Sequence, residues 1–191
     1  MIKNIKQEKL AKAKKMMLLF GLLSITMTFA GLTSAYIVSK GRPDWTMDFN
    51  LPSEFFYSTF IILLSSLTLF VSKRKLNSGK SINSVFNWTL LTFVLGLVFI
   101  FFQFIGFNNI IDQGYYFAGA QSAIKTSFIY VLSFLHIVHL VAGLIVLIIL
   151  MFNIKKGKYV DNNLGFNLGS NFWHFLDFLW LYLFSFFYFF G

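Results

Sequence analysis

Two pairs of side chains in this sequence have the types and spacing to do chemistry. Near the C-terminus, His174 and Asp177 stand three apart within NFWHFLDFLWLYLFSFFYFFG, the run from Asn171 to Gly191. At helical spacing they share a face, and Trp173 and Trp180 flank them at i and i+7. An imidazole and a carboxyl so placed can hold a proton or a ligand, or can tie helices together; spacing leaves both readings open. Further up the chain, His136 and His139 also stand three apart, with Gly143 four beyond, so the three fall on one helical face. Two imidazoles begin a metal or haem site, but such a site asks for a third or fourth ligand, and the only other histidine is His174. The expected reading is a pair of buried, hydrogen-bonding histidines, with no metal on this chain. Glu54 is the other acidic residue beside apolar sequence. It suits a helix N-terminus, where the dipole favours a carboxylate, or a proton-handling role.

The sequence holds no Gly-rich phosphate loop, no Ser/His/Asp arrangement and no paired carboxylates. It also lacks cysteine, which excludes disulfides, thiolate metal sites and cysteine nucleophiles. By itself the chain does not read as an enzyme.

The elements that must position these residues are set by the solvent. Of 191 residues 57% are hydrophobic and 12% charged, and the mean hydropathy is +0.71. A soluble domain of this size could not hide so much apolar surface, so the bilayer is its main solvent. A membrane helix needs around 20 apolar residues to cross roughly 30 Å of hydrocarbon. Gaps between charges mark five such runs, with spans expected at about 16–39, 55–72, 85–107, 126–152 and 171–190. None shows the alternation of a barrel strand. The fold class is therefore all-α, a bundle of five transmembrane helices forming a single membrane domain over 16–191, after a basic leader, 1–15. The first run is too long for the apolar core of a signal peptide and four more follow, so no cleavage is expected.

The charge of +9 tracks topology rather than nucleic acid. The leader, the loop after the second run (Lys73, Arg74, Lys75, Lys80) and the loop after the fourth (Lys155, Lys156, Lys158) hold thirteen basic residues; the alternate loops hold Lys40, Arg42 and Lys125. The excess predicts a cytoplasmic N-terminus and an external C-terminus. Pro43 and Pro52 mark the first outer loop as irregular, and Asp161-Asn162-Asn163 begins a turn-rich approach to the last helix.

Small residues predict where helices meet. Gly21, Ser24, Thr28, Gly31 and Ala35 form a stripe on the first helix that suits close approach of another helix, and Thr92, Gly96, Gln103 and Gly106 share a face of the third. A lone membrane Gln such as Gln103 reads as an interhelical hydrogen-bond donor.

The run from Trp173 to Leu181, WHFLDFLWL, closely resembles the WHFxDxxWL signature of subunit III of the haem–copper terminal oxidases. His136, His139 and Gly143 are similar to that family's HxxHxxxG pattern. Leu95-Gly96 and Gln103 fit in the third helix, and Phe29, Gly31, Ala35 and Tyr36 in the first. Five helices resemble the shorter bacterial form, which lacks two N-terminal helices. The chain departs from the family at Ile25, after Ser24, and at Gly106, three past Gln103, where members often carry glutamate; no carboxylate role carries over to either position. The resemblance implies a subunit without redox centres in a bacterial inner membrane. It would pack against the catalytic subunit I, which holds haem and copper, and be accompanied by subunit II and bound phospholipids. It also implies support of oxygen and proton access in a cytochrome c oxidase or a quinol oxidase, with a nitric-oxide-reductase-associated complex or a small proton-coupled transporter as further alternatives. His174 and Asp177 would then fasten the last helix, and His136 and His139 the fourth.

Overall fold

A computed structural model describes residues 2–42, 45, 52–79, 81–117, 124–159 and 163–190, with side chains from Lys6 onward. Pro43, Lys80, Asp161 and Asn162 lie outside the described residues. Five helices follow in order: α1 (Ile2–Ser39), α2 (Glu54–Asn77), α3 (Ile82–Asp112), α4 (Ile124–Lys155) and α5 (Leu164–Phe190). All five are long and apolar enough to cross a membrane, and no proline falls inside any of them.

Each helix outruns the span expected from the gaps between charges. Absence of charge marks hydrocarbon depth, whereas backbone hydrogen bonding continues through residues that stand in the headgroup layer. The leader expected at 1–15 is accordingly the first part of α1, whose 38 residues measure about 57 Å. At the other ends, glycine closes the helices. Gly114 and Gly157 take φ of +87° and +67°, and their N–H groups donate to Ile111 and Ile154 carbonyls at 2.8 and 2.9 Å. Only glycine adopts that conformation without strain.

Neighbours in the bundle are α2 with α3, α3 with α4, α4 with α5, and α5 with α2, which closes a ring of four helices. Helix α1 lies outside it and, among the described residues, touches only α4 and α5. The basic loops meet at one end: Lys73 Nζ donates to Asn171 Oδ1 at 3.4 Å, Asn163 to Asn77 at 3.3 Å, and Lys155 lies over the Phe86 ring at 4.5 Å. At the opposite end Tyr36 Oη donates to the Phe190 carbonyl at 3.1 Å. The outward faces carry Phe60, Phe101, Phe134, Phe152 and Phe178, all more than half exposed, as a surface solvated by lipid requires.

The stripe on α1 corrects the sequence reading. Gly21, Ser24, Thr28, Gly31 and Ala35 are all exposed, and nothing approaches Gly21 or Gly31 within 4 Å. Helix α1 instead presents Phe29, Thr33 and Tyr36 to the bundle, because burying two aromatic rings gains more dispersion than close backbone contact. Small residues do admit close approach elsewhere. A Cβ at Gly96 would stand 2.7 Å from Cη2 of Trp173, and one at Gly143 would stand 2.8 Å from Leu176 and 3.2 Å from Trp173. The indole of Trp173 is thus clamped between glycines of α3 and α4.

Gly96→Ala and Gly143→Ala should each destabilise the purified chain by about 1–3 kcal/mol through overpacking, whereas Gly31→Ala should be neutral. Thermal unfolding in mild detergent checks this; equal effects at Gly31 and Gly96 would contradict the packing described.

Candidate functional site

Hydrocarbon offers no partner to a polar side chain, so a polar group inside the bundle gains by finding one on a neighbouring helix. Helix α2 supplies most of them. The Trp173 indole N–H of α5 donates to Ser65 Oγ at 3.1 Å, and the Trp180 N–H donates to Thr59 Oγ1 at 2.9 Å. Gln103 Nε2 of α3 donates to Ser58 Oγ at 2.8 Å, as expected of a lone membrane Gln. Nearer the basic end, Thr68 and Thr92 share a hydrogen bond of 2.8 Å, and Ser72 bonds Thr89 at 2.9 Å. A file of α2 hydroxyls therefore fastens α3 on one side and α5 on the other.

Sequence reasoning missed this file. Its signal was present: six hydroxyl residues, Ser58, Thr59, Ser65, Ser66, Thr68 and Ser72, within one apolar run. They fall on two faces, so no single stripe appears.

The HxxH pair behaves differently from the expectation of hydrogen-bonding histidines. His136 is fully buried, yet neither ring nitrogen has a hydrogen-bond partner among the described residues. It is held by rings instead, with the Trp180 centroid at 5.2 Å and Phe99 edge-on at 5.9 Å. His139 Nδ1 lies 2.8 Å from the carbonyl of Leu135 on its own helix, and its ring meets Phe29 of α1 at 5.8 Å. The two histidines do join α4 to its neighbours, through aromatic contact rather than interhelical hydrogen bonds. The imidazole lies tilted at 36° to the indole, and ring contacts rank with a membrane hydrogen bond in energy, about 0.5–1.5 kcal/mol. Gly143 completes this face by admitting Trp173 and Leu176 of α5.

The structure brings His174 and Asp177 to the seam between α5 and α2. His174 Nδ1 and Ser66 Oγ share a hydrogen bond of 2.7 Å. Asp177 Oδ2 stands 3.9 Å from the same Nδ1, which is too long for a hydrogen bond. The carboxyl is buried with neither oxygen hydrogen-bonded, although the Ser66 hydroxyl is close to it. His174 is about one-third exposed, its side chain at 30%. His174 is therefore the partly exposed member of the pair, and Asp177 is sealed behind it in the seam. Glu54 is the first residue of α2, half-buried in its first turn, where its carboxylate meets the positive end of the helix dipole. It stands apart from the His174 and Asp177 pair, the length of α2 from Glu54 to Ser66 being about 18 Å. Among the described residues no three His, Cys, Asp or Glu side chains converge as a metal site would require.

Residues 9–191 match the family described as cytochrome c oxidase subunit III. The chain is 39% identical over 142 residues to the cytochrome bo(3) ubiquinol oxidase subunit 3 of Buchnera aphidicola subsp. Baizongia pistaciae, covering 70% of this chain and 67% of that one. It is 31% identical over 169 residues to the protein of the same name from Pseudomonas aeruginosa, covering 86% and 78%. It is 30% identical over 165 residues to the cytochrome c oxidase subunit 3 of a Bacillus species, covering 84% and 77%.

His136→Phe, which keeps a ring between Phe99 and Trp180, should change stability by less than about 1.5 kcal/mol. Gln103→Leu should lower it by roughly 0.6–1.7 kcal/mol, the range for a membrane hydrogen bond. Unfolding of both variants in detergent tests this pair; a much larger loss at His136 would reveal a polar partner for its nitrogens. The matches to the full helical region establish what the motif resemblance implied: the chain belongs to the cytochrome c oxidase subunit III family, as a non-catalytic subunit of a haem–copper oxidase.

Proposed function

We propose that this multi-pass subunit acts as a membrane clamp that packs beside the catalytic subunit I, together with subunit II, in a bacterial inner membrane and keeps the complex intact during turnover. The observation that carries this reading is the use to which the α5 motif is put. Trp173 and Trp180 are fully buried and spend their N–H groups on α2 hydroxyls, so the signature builds a rigid face rather than a reacting centre. In this reading haem and copper belong to the partner subunits, phospholipids solvate the apolar outer faces, and the chain supports oxygen and proton access to the catalytic subunit from its flank. Glu54, at the head of α2, is the candidate for a proton or lipid contact. The thirteen-to-three division of basic residues supports a cytoplasmic N-terminus.

The electron donor separates two versions of this proposal. The leading version is a subunit of a cytochrome c oxidase. The similarity to relatives named as ubiquinol oxidase subunits, in Buchnera and Pseudomonas, favours a quinol oxidase as the second.

Affinity purification through a tag on this chain, in mild detergent, should bring down a large multi-span partner and a haem signal in the reduced-minus-oxidised spectrum. Asp177→Leu should lower the yield of the complex and leave the haem spectrum of the remainder unchanged. A colourless, self-associated chain would overturn the proposal, and so would an intact complex with a shifted haem spectrum.

A further inference from the structure

Three polar side chains inside the bundle carry atoms that no partner among the described residues satisfies. They are Gln103 of α3, through Oε1, and Ser133 and His136 of α4, through the hydroxyl and both ring nitrogens. Gln103 is 1% exposed, and Ser133 and His136 are fully buried. Neither lipid nor a side chain of another subunit reaches them. Whatever meets these atoms is small and lies inside the ring.

Two contacts between α3 and α4 set the height of these groups. Phe99 meets His136 with ring centroids 5.9 Å apart, and Tyr130 Oη donates to the Phe107 carbonyl at 3.3 Å. Between these contacts the numbering rises along α3 as it falls along α4, so the two helices run antiparallel. Gln103 is midway between Phe99 and Phe107, about 6 Å along α3 from each, and Ser133 is midway between Tyr130 and His136, about 4.5 Å from each. The two are therefore level, and Ser133 shares a helix face with His136 at i and i+3. The amide of Gln103 is oriented from its other side. Ser58 Oγ donates to the Phe55 carbonyl at 3.0 Å, so it accepts from Gln103 Nε2, at 2.8 Å. That leaves Oε1 as the free end of the amide.

These atoms are a pure acceptor, a hydroxyl that both donates and accepts, and a neutral imidazole with one donor and one acceptor. No group of three His, Cys, Asp or Glu side chains could hold a metal ion among the described residues. Water fits the set, because it donates twice and accepts twice, and buried waters usually bridge about three otherwise unsatisfied polar groups. Helix α4 also has need of such a bridge. From Ser127 to Lys155, Tyr130 is the one α4 side chain whose hydrogen bond crosses to another helix among the described residues. Helix α2, by contrast, crosses repeatedly through its hydroxyls.

We infer that Gln103, Ser133 and His136 form an internal water-binding site, in which one or two ordered water molecules bridge α3 to α4. The water accepts from the Ser133 hydroxyl or the imidazole N–H, and donates to Gln103 Oε1 or the other ring nitrogen. It gives α4 the polar tie that the α2 hydroxyls give α3 and α5. The inference concerns the interior of this chain and does not depend on the oxidase reading.

A cryo-electron map of the tagged complex, at a resolution that shows ordered internal waters, reads the site directly. A peak should stand about 2.5–3.2 Å from at least two of the three side chains. No peak there, in a map that shows other internal waters, would overturn the inference. Ser133→Ala, unfolded in mild detergent, gives a second reading that needs no partner subunit. Removing a buried hydroxyl that has no partner should leave the midpoint unchanged or raise it, whereas removing one that binds water should lower it by about 2–4 °C. The fall should be smaller in a Gln103→Leu background, where the water has already lost an acceptor. A midpoint that holds or rises, or an equal fall in both backgrounds, would contradict the site.

Discussion

An indole N–H cannot be left unbonded in hydrocarbon, and this chain buries two of them on one helix. Trp173 and Trp180 stand seven residues apart, so both point to the same side of α5, and each must find an acceptor at its own depth. Ser65 and Thr59 of α2, six residues apart and running the opposite way, supply them. The pairing fixes the register of α5 against α2 at two heights at once. Much else follows from it. Gly96 and Gly143 exist to let the Trp173 ring pass between α3 and α4, and Phe55, Phe99 and His136 surround Trp180 at centroid distances of 6.0, 5.0 and 5.2 Å. A membrane interior provides no hydrophobic drive for helix association, so packing density and a few well-placed hydrogen bonds carry the specificity.

The distribution of polar groups separates what holds the subunit together from what it offers outward. Hydroxyls of Ser58, Ser65, Thr68 and Ser72 and the amide N–H of Gln103 are engaged among α2, α3 and α5. His174, next to Trp173, bonds Ser66 across the same seam yet stays partly exposed, and Asp177, one turn from Trp173, is buried beside that hydroxyl. A single motif thus serves two faces of one helix. Its tryptophans look inward, and its ionisable pair looks along the seam. Helix α1 makes the same division on a larger scale, with 11% of its span buried against 44% for α5, and with its small residues turned away from the bundle.

Much of this was legible in the sequence. Charge-free runs of membrane length gave five helices, the signature on α5 pointed to the family, and Gln103 is the interhelical donor its isolation suggested. The α1 stripe read as a close-packing face, yet it is exposed, because spacing alone does not say which face of a helix its neighbours meet. The histidines of α4 were readable as buried and clustered. The orphaned nitrogens of His136 were not, because whether an imidazole hydrogen-bonds or packs on rings depends on what the other helices bring, here Phe99 and Trp180. The α2 hydroxyls escaped because they serve two neighbours on two faces, so no single periodicity exposes them. Helix ends ran past expectation for a simpler reason: lysines and serines end the hydrocarbon, not the helix.

The indole-to-hydroxyl bonds hold α5 in place, which makes the motif a clamp. A double-mutant cycle tests it most directly. Trp180→Phe, Thr59→Val and the double variant are unfolded in the same detergent, and the coupling between the two sites is obtained by difference. A bonded pair should show a favourable coupling of roughly 0.6–1.7 kcal/mol, the scale of membrane hydrogen bonds. Strictly additive losses would contradict it, and would mean that Trp180 holds the bundle by its ring alone.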